Sequence, residues 1–161
     1  MIGAVDIGET KLAVGLVDEN GKVVAKNEIV TGSDSSYSAG LEEIAGMFRE
    51  MERYARVEIT GIGIGSTGPV DPLTGELGDV DFLPDWRRKN PVRDLAQLFG
   101  VNVALENDAD AGVLGKPHGE QDVVNRGSFM SRSVPASVAA SSSMDTYIAV
   151  AADLIPNLVT R

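Results

Sequence analysis

The chain has 161 residues, 43% of them hydrophobic, and a formal net charge of −10 at pH 7. This length suffices for one domain with a hydrophobic core, and no apolar run approaches the roughly 20 residues of a membrane span. The acidic balance argues against nucleic-acid and membrane partners, and the absence of Cys excludes disulfides and thiolate zinc sites, so we expect a cytoplasmic protein.

The first part of the chain predicts three strands, a helix and a fourth strand. Apolar runs at 2–7 and 12–17 and a partly alternating run at 22–30 are typical of strands. Apolar residues recur at helical spacing between 39 and 54, which predicts an amphipathic helix. Residues 57–65 then return to a strand pattern.

The second part predicts fewer regular elements. Residues 66–84 are rich in Gly, Pro and Asp and read as a loop. Residues 91–99 predict a short helix with Pro in its first turn, 101–105 a buried strand, and 108–114 the start of another helix. This order predicts an α/β domain with a mixed sheet.

Residues 6–11 (Asp-Ile-Gly-Glu-Thr-Lys) join the first two predicted strands and form a candidate phosphate loop. Gly8 permits positive φ and a close backbone approach, while Thr10 and Lys11 offer a hydroxyl and a point charge to a phosphate. Asp6, at the strand end, can hold Mg²⁺ directly or through water. The alternative is an ordinary hairpin whose Gly and Thr merely suit the turn.

Residues 106–110 (Glu-Asn-Asp-Ala-Asp) follow a predicted strand, and ligands of α/β sheets bind outside strand carboxyl ends. Asn107 can donate to and accept from sugar hydroxyls. Asp108 can take a hydroxyl proton as general base, a role worth roughly 10²–10⁴-fold. Alternatively, one of these two residues only caps the helix that follows.

Residues 61–69 contain a GxGxxG pattern, but Pro69 and the residues after it prevent a helix from starting in the required register. We therefore expect a strand that runs into a loop where a ligand approaches the backbone. Trp86 is expected to pack against the core, with stacking on a sugar as the alternative.

Four segments, in this order along the chain, resemble the ROK family of repressors, open reading frames and sugar kinases, which includes bacterial glucokinases. They are residues 6–11, 61–71, 83–86 and 106–111. The resemblance covers residues 1–115 and implies the N-terminal lobe of an actin-like ATPase (ribonuclease H-like) fold.

The resemblance implies ATP-dependent phosphorylation of a hexose, with Mg²⁺. The residues it assigns to the ATP-phosphate loop are Asp6, Gly8, Thr10 and Lys11. The residues it assigns to the hexose are Gly68, Asn107 and Asp108, with Asp108 as the catalytic base. It also allows a homodimer, and it does not fix which sugar is used.

The family's second phosphate loop (GTGIGGG type), its Glu-x-Gly-His motif and its zinc site do not occur in this sequence. We therefore expect a truncated, inactive sugar kinase. Two alternatives stay open: a sugar-responsive ROK transcriptional regulator without its DNA-binding segment, and a non-catalytic sugar-binding module.

Residues 116–161 are rich in Ser, Ala and Val without a clear period, and we expect an aberrant, poorly ordered tail. A shifted reading frame of the gene joins the third base of each codon to the first two bases of the next codon. With permitted synonymous codons, the stretch that encodes residues 132–150 can then be translated as VGTGIGGGIVVDGHLYRG. Continued to residue 161, the same frame can read SNPELGHT. The hypothesis is that one base was lost near the codon for Gly115; the alternative is an ordinary flexible tail.

Overall fold

The computed structural model describes residues 1–31, 36–81 and 83–107. Two helices and seven strands occur within them. In chain order they are β1 (Ile2–Ile7), β2 (Lys11–Val17), β3 (Val23–Val30), α1 (Tyr37–Ala55), β4 (Gly61–Ser66), β5 (Val70–Asp71), β6 (Glu76–Leu77), α2 (Pro91–Phe99) and β7 (Asn102–Asn107). A single 3₁₀ turn, Pro84–Trp86, precedes α2.

Five of these strands form one mixed sheet in the order β3-β2-β1-β4-β7, and β5 and β6 form a separate hairpin. β2 pairs antiparallel with both β1 and β3, whereas β4 runs parallel to both β1 and β7. The parallel strands therefore end together, and Ile7, Ser66 and Asn107 lie side by side in register. We name this boundary, defined by those three residues, the C-terminal edge of the sheet.

The main hydrophobic core lies between the sheet and α1. The apolar stripe of the helix, which includes Leu41, Ile44 and Phe48, is buried against strand residues such as Val5 and Ile62. Full burial of one side chain of this size contributes roughly 1.5–3 kcal/mol. This packing holds α1 against one face of the sheet.

Both helices begin and end with recognisable caps. The Ser36 hydroxyl accepts from the Ala39 N–H at the start of α1, and the Asn90 side chain accepts from the Arg93 N–H at the start of α2. α2 ends at Phe99 and is capped by Gly100, which has φ +68°. Neither helix is long and apolar enough to cross a membrane.

The opposite face of the sheet carries small residues in its centre. Ala4 pairs with Gly15 on one side and with Gly63 on the other, and Gly63 pairs with Ala104. Side chains alternate between faces, so Asp6 and Glu106 belong to this small-residue face.

The predicted strand over 57–65 is shorter than expected, because its first residues cap α1 instead. The Val57 N–H donates to the Glu52 carbonyl oxygen (3.1 Å), and the Ile59 N–H donates to the Glu52 carboxylate (2.7 Å). The expected loop over 66–84 contains the β5–β6 hairpin, whose two-residue strands are too short to produce a pattern. The helix expected from residue 108 and the tail at 116–161 lie outside the described residues.

Candidate functional site

The turn between β1 and β2 is tight, and the residues expected to meet a phosphate lie on it. The Gly8 N–H donates to the Lys11 carbonyl oxygen (3.0 Å), and the Thr31 N–H donates to the Thr10 carbonyl oxygen (2.9 Å). Gly8 does not adopt the left-handed conformation that we expected to be available there. Its role is close approach, because a Cβ at this position would lie 3.2 Å from the Lys11 carbonyl oxygen.

The ammonium group of Lys11 is held by a carboxylate. Its Nζ lies 3.2 Å from Glu28 Oε2, and Lys26 Nζ lies 3.7 Å from the same oxygen. The hydrogen bond from Lys11, together with the two positive charges, lowers the pKa of the Glu28 carboxyl group. A phosphate that approaches Lys11 must therefore compete with Glu28.

Two acidic residues lie in one row across the C-terminal ends of the parallel strands. Asp6 pairs with Gly65, and Gly65 pairs with Glu106. Adjacent strands are about 4.8 Å apart, so the two acidic residues are separated by about 10 Å, with only a glycine between them. Asp6 is 4% exposed. Lys11 lies on the same face as Asp6, because Asp6 pairs with Ala13, two residues further along β2.

The loop after β4 is tied to the end of β7 by Asn107. The side-chain Nδ2 of Asn107 donates to the Gly68 carbonyl oxygen at 2.7 Å. Gly68 has φ +98°, a conformation that favours glycine, and the Thr67 N–H donates to the Ile7 carbonyl oxygen (3.2 Å). The structure thus brings together two of the residues that the family resemblance assigns to the hexose.

The third residue of that set, Asp108, lies outside the described residues. It follows Asn107 directly in the chain. Of the other predicted residues, Asn107 lies on the C-terminal edge, Asp6 directly precedes Ile7 of that edge, and Gly68 follows Ser66 by two residues. Gly8, Thr10 and Lys11 lie on the adjoining turn between β1 and β2.

Sequence reasoning missed three residues that support this site. Glu28 holds Lys11, Thr31 braces the turn, and Ser66 is fully buried, with its hydroxyl donating to the Thr67 carbonyl oxygen (3.2 Å). The Lys11–Glu28 contact follows from the antiparallel register of β2 and β3, which the sequence alone does not specify.

A hydrogen-bonded cluster supports the start of α1. The Tyr37 hydroxyl donates to Asp94 Oδ2 (2.7 Å), and the Tyr37 N–H donates to Asp85 Oδ2 (3.3 Å). Burial, reinforced by Asp94, raises the pKa of Tyr37. The Trp86 ring meets the Tyr37 ring edge-to-face at 4.9 Å between centroids. Trp86 is completely buried, so it packs in the core as expected and cannot stack on a sugar.

The acidic residues at the edge suit a hard cation. No group of three His, Cys, Asp or Glu side chains with metal-binding geometry occurs among residues 1–31, 36–81 and 83–107. Mg²⁺ does not need such a group, because it retains several waters and is often bound by one or two carboxylates together with substrate phosphates. Asp6 and Glu106, on one face beside the phosphate-loop turn, fit that requirement.

Comparison with known proteins identifies sugar kinases and also a ROK family transcriptional regulator, which superposes with a TM-score of 0.59 at 20% identity, covering 71% of this chain and 29% of the other. A glucokinase of Thermotoga maritima is 38% identical over 114 residues, which cover 70% of this chain and 35% of the relative. A ROK hexokinase from Thermus thermophilus superposes with a TM-score of 0.62 at 30% identity, covering 71% of this chain and 37% of the other. A ROK family glucokinase from Streptomyces griseus, in complex with glucose and AMPPNP, gives 0.61 at 28% identity, covering 71% and 35%.

The chain thus spans about a third of the length of the relatives it matches. The solved neighbours confirm the predicted fold class, an α/β actin-like ATPase lobe with a mixed sheet. The model of the ROK family matches residues 2–126. On this evidence the chain belongs to the ROK family.

Proposed function

We propose that this chain is the N-terminal lobe of an ATP-dependent hexose kinase. The observation that carries the proposal is the hydrogen bond from Asn107 to the Gly68 carbonyl oxygen at the C-terminal edge. It holds a glycine with an accessible backbone beside an amide side chain, so that both can meet adjacent hydroxyl groups of one sugar ring.

In this proposal Gly68 and Asn107 orient the hexose, and Asp108 accepts the proton of the hydroxyl that attacks the γ-phosphoryl group. A general base must lie within hydrogen-bond reach of that proton. Asp108 follows immediately after Asn107 in the chain.

The turn between β1 and β2 supplies the phosphate contacts. Thr10 offers its hydroxyl, Lys11 offers its ammonium group, and Gly8 keeps the backbone compact enough for a phosphate to approach. Mg²⁺, held by Asp6 and the phosphates of ATP, would neutralise the phosphate charge.

The kinase assignment is favoured over the regulator by the character of the relatives. The Thermotoga relative is named a glucokinase, and the Streptomyces structure contains glucose and AMPPNP. Both support a hexose and ATP as the ligands of this chain. A non-catalytic sugar-binding module would bind the sugar without a nucleotide, whereas a kinase lobe requires both.

By itself the chain is proposed to have little or no turnover, because phosphoryl transfer needs a second group of phosphate contacts to enclose the site. The frame-shift hypothesis explains why these contacts are missing: the codons of residues 116–161 would encode the missing motifs in a neighbouring reading frame. The gene decides this. Codons that cannot yield GTGIGGG in that frame contradict the hypothesis, and robust ADP release with a hexose contradicts the lack of turnover.

Hexose binding tests the proposed site directly. Isothermal titration of the full chain with glucose is expected to show saturable binding that Asn107→Ala weakens at least about tenfold, equal to about 1.4 kcal/mol. The matched control is Asn102→Ala, which changes the same residue type at the opposite, exposed end of β7. Failure of the unmodified chain to bind any hexose, or equal losses in both variants, contradicts the proposal.

A further inference from the structure

Half of the arginines in the part of the chain that the structure describes have no carboxylate partner there. Three of the six each pair with an Asp side chain, namely Arg87, Arg88 and Arg93. The other three form no ion pair within the described ranges, and we name them the arginine row: Arg49, Arg53 and Arg56. In a chain with a net charge of −10, a group of three unneutralised cations requires an explanation.

The arginine row lies at the end of α1. Arg49 and Arg53 are one helical turn apart, and Arg56 is the residue that caps the helix. All three line one open depression of about 820 Å³. Spacings of four and three residues place side chains side by side on a helix, where like charges repel. The helix dipole favours cations in the last turn, but it does not account for Arg49, which lies before that turn.

Arg56 has a backbone conformation that favours glycine. Its φ is +54°, and α2 ends with Gly100 in the same left-handed region. The bond that closes the helix runs from the Arg56 N–H to the Glu52 carbonyl oxygen and needs no side chain. Strained residues of this kind occur where the side chain has a use, so the arginine here indicates a role for its guanidinium group.

The two carboxylates that line the same depression do not neutralise the row. Glu52 and Glu58 form no ion pair with it, and the Glu52 carboxylate instead accepts a backbone N–H at 2.7 Å. The guanidinium group of Arg49 lies over the Phe99 ring, 6.0 Å from its centroid. Leu98, which is half exposed, adds apolar surface beside it. The depression thus offers positive charge next to an apolar wall.

Further exposed apolar side chains accompany the arginine row. A second depression shares Arg53 and Arg56 with the first and is also lined by Val24 and Tyr54. Five large hydrophobic residues are exposed among the described residues, and Val24, Tyr54 and Leu98 are three of them. Tyrosine and arginine are the residue types that most often supply binding energy at protein interfaces. This combination is typical of a surface that binds another protein.

We propose that the arginine row and its apolar neighbours dock an acidic amphipathic helix of a partner protein. From Arg49 to Arg56 the row spans about 10.5 Å along the helix axis, so Asp or Glu residues at the same spacings on a partner helix can meet it. Apolar residues beside those carboxylates then meet Leu98 and Tyr54. The negative charge elsewhere on this chain opposes the approach only weakly, because charges are screened within about 8 Å at physiological ionic strength.

The docking surface is separate from the candidate hexose site. Val57 and Ile59, which line the first depression, come before the first residue of β4, whereas the C-terminal edge lies at its last residue, Ser66. A helix docked on the arginine row therefore leaves the C-terminal edge open. The proposal does not depend on the proposed function, and glucose binding should be the same with and without the partner.

A synthetic peptide tests the proposed chemistry of the partner. The probe is an amphipathic helix with three Glu residues at spacings of four and three and with Leu beside them, and the control peptide has Gln in place of each Glu. Fluorescence anisotropy with the full chain is expected to show saturable binding of the probe and at least about tenfold weaker binding of the control. If the acidic peptide does not bind, or if both peptides bind equally, the proposal is overturned.

Variants of the chain test the location. Arg53→Ala should weaken binding of the acidic peptide at least about tenfold. The matched control is Arg87→Ala, which removes an arginine already paired with Asp81 and should leave binding unchanged. Equal losses in the two variants overturn the proposal. Tighter binding of tripolyphosphate than of the peptide, or self-association of the chain that Arg53→Ala abolishes, also overturns it, because the row would then serve a small anion or a second copy.

Arg56→Gly separates binding from folding. Glycine relieves the left-handed strain at this position, so the midpoint of urea denaturation should rise. Binding of the acidic peptide should nevertheless fall severalfold, because one of the three guanidinium groups is lost. A variant that is more stable and binds the peptide as well as the unmodified chain would show that Arg56 serves the helix end alone, and would overturn its part in the docking surface.

Discussion

Replacement of two glycines in the same helix by alanine should change the stability of the fold in opposite directions. An added Cβ at Gly40 would lie 2.3 Å from Cζ2 of Trp86, which is fully buried, whereas a Cβ at Gly46 meets nothing within 4 Å. Both glycines lie inside α1. The helix propensity gained is therefore the same in both variants, and only the contact with Trp86 differs.

The magnitudes follow from those two terms. Alanine is favoured over glycine in a helix by about 0.8–1 kcal/mol, so Gly46→Ala should stabilise the fold by about that amount. Overpacking costs about 1–3 kcal/mol, and an approach of 2.3 Å to a rigid ring belongs at the upper end. After the propensity gain is subtracted, Gly40→Ala should destabilise the fold by about 2 kcal/mol.

Urea denaturation of the full chain measures both effects. The chain has a single Trp, so fluorescence reports directly on the contact that Gly40→Ala disturbs, and far-ultraviolet circular dichroism follows the helices. The double variant Gly40→Ala with Trp86→Phe tests the cause, because a smaller ring should reduce the cost of the added methyl group. If Gly40→Ala stabilises the chain as much as Gly46→Ala does, the packing of α1 against Trp86 is wrong.

Three further outcomes are expected. Burial and Asp94 raise the pKa of Tyr37, so the contribution of this residue to stability should be complete below the pKa of free tyrosine and lost as pH rises through the higher pKa of the folded state. An ultraviolet pH titration should show a tyrosine that ionises late, and normal ionisation of all three tyrosines contradicts this. Glu28→Gln should tighten AMPPNP binding about two- to fivefold in calorimetry, since the exposed ion pair of Glu28 with Lys11 no longer competes with the phosphates. Unchanged or weaker binding argues against a phosphate at Lys11. Gly100→Ala should cost about 1 kcal/mol in urea denaturation despite the open space around it, because its φ is +68°; a neutral effect contradicts that conformation.

The helices were the most predictable elements, because their signals are local. Periodicity alone predicts α1 to within two residues at either end, and α2 has the predicted bounds. The predicted strand over 57–65 begins too early, because its first apolar residues suit either a strand or the segment that caps α1. Glu52 decides between them by bonding to Val57 and Ile59, a contact that no sequence period reveals.

The position of the candidate residues at strand ends was predictable from the sequence, whereas the hydrogen bonds and ion pairs between them were not. Asp6, Gly68 and Asn107 follow from motifs, since each lies where a strand meets a loop. The bond between Asn107 and Gly68 joins positions 39 residues apart, and the contact of Glu28 with Lys11 depends on strand register. Such contacts are products of tertiary packing, so a single sequence does not specify them.

The central claim is that the C-terminal edge of this sheet binds a hexose. Amide NMR spectra of the full chain, recorded during a titration with glucose, test it most directly. The account predicts saturable shifts at Gly68 and at the backbone and side-chain amides of Asn107, with little change at Asn102 on the far end of the same strand. Shifts that avoid Gly68 and Asn107, or no shifts at all, would contradict it.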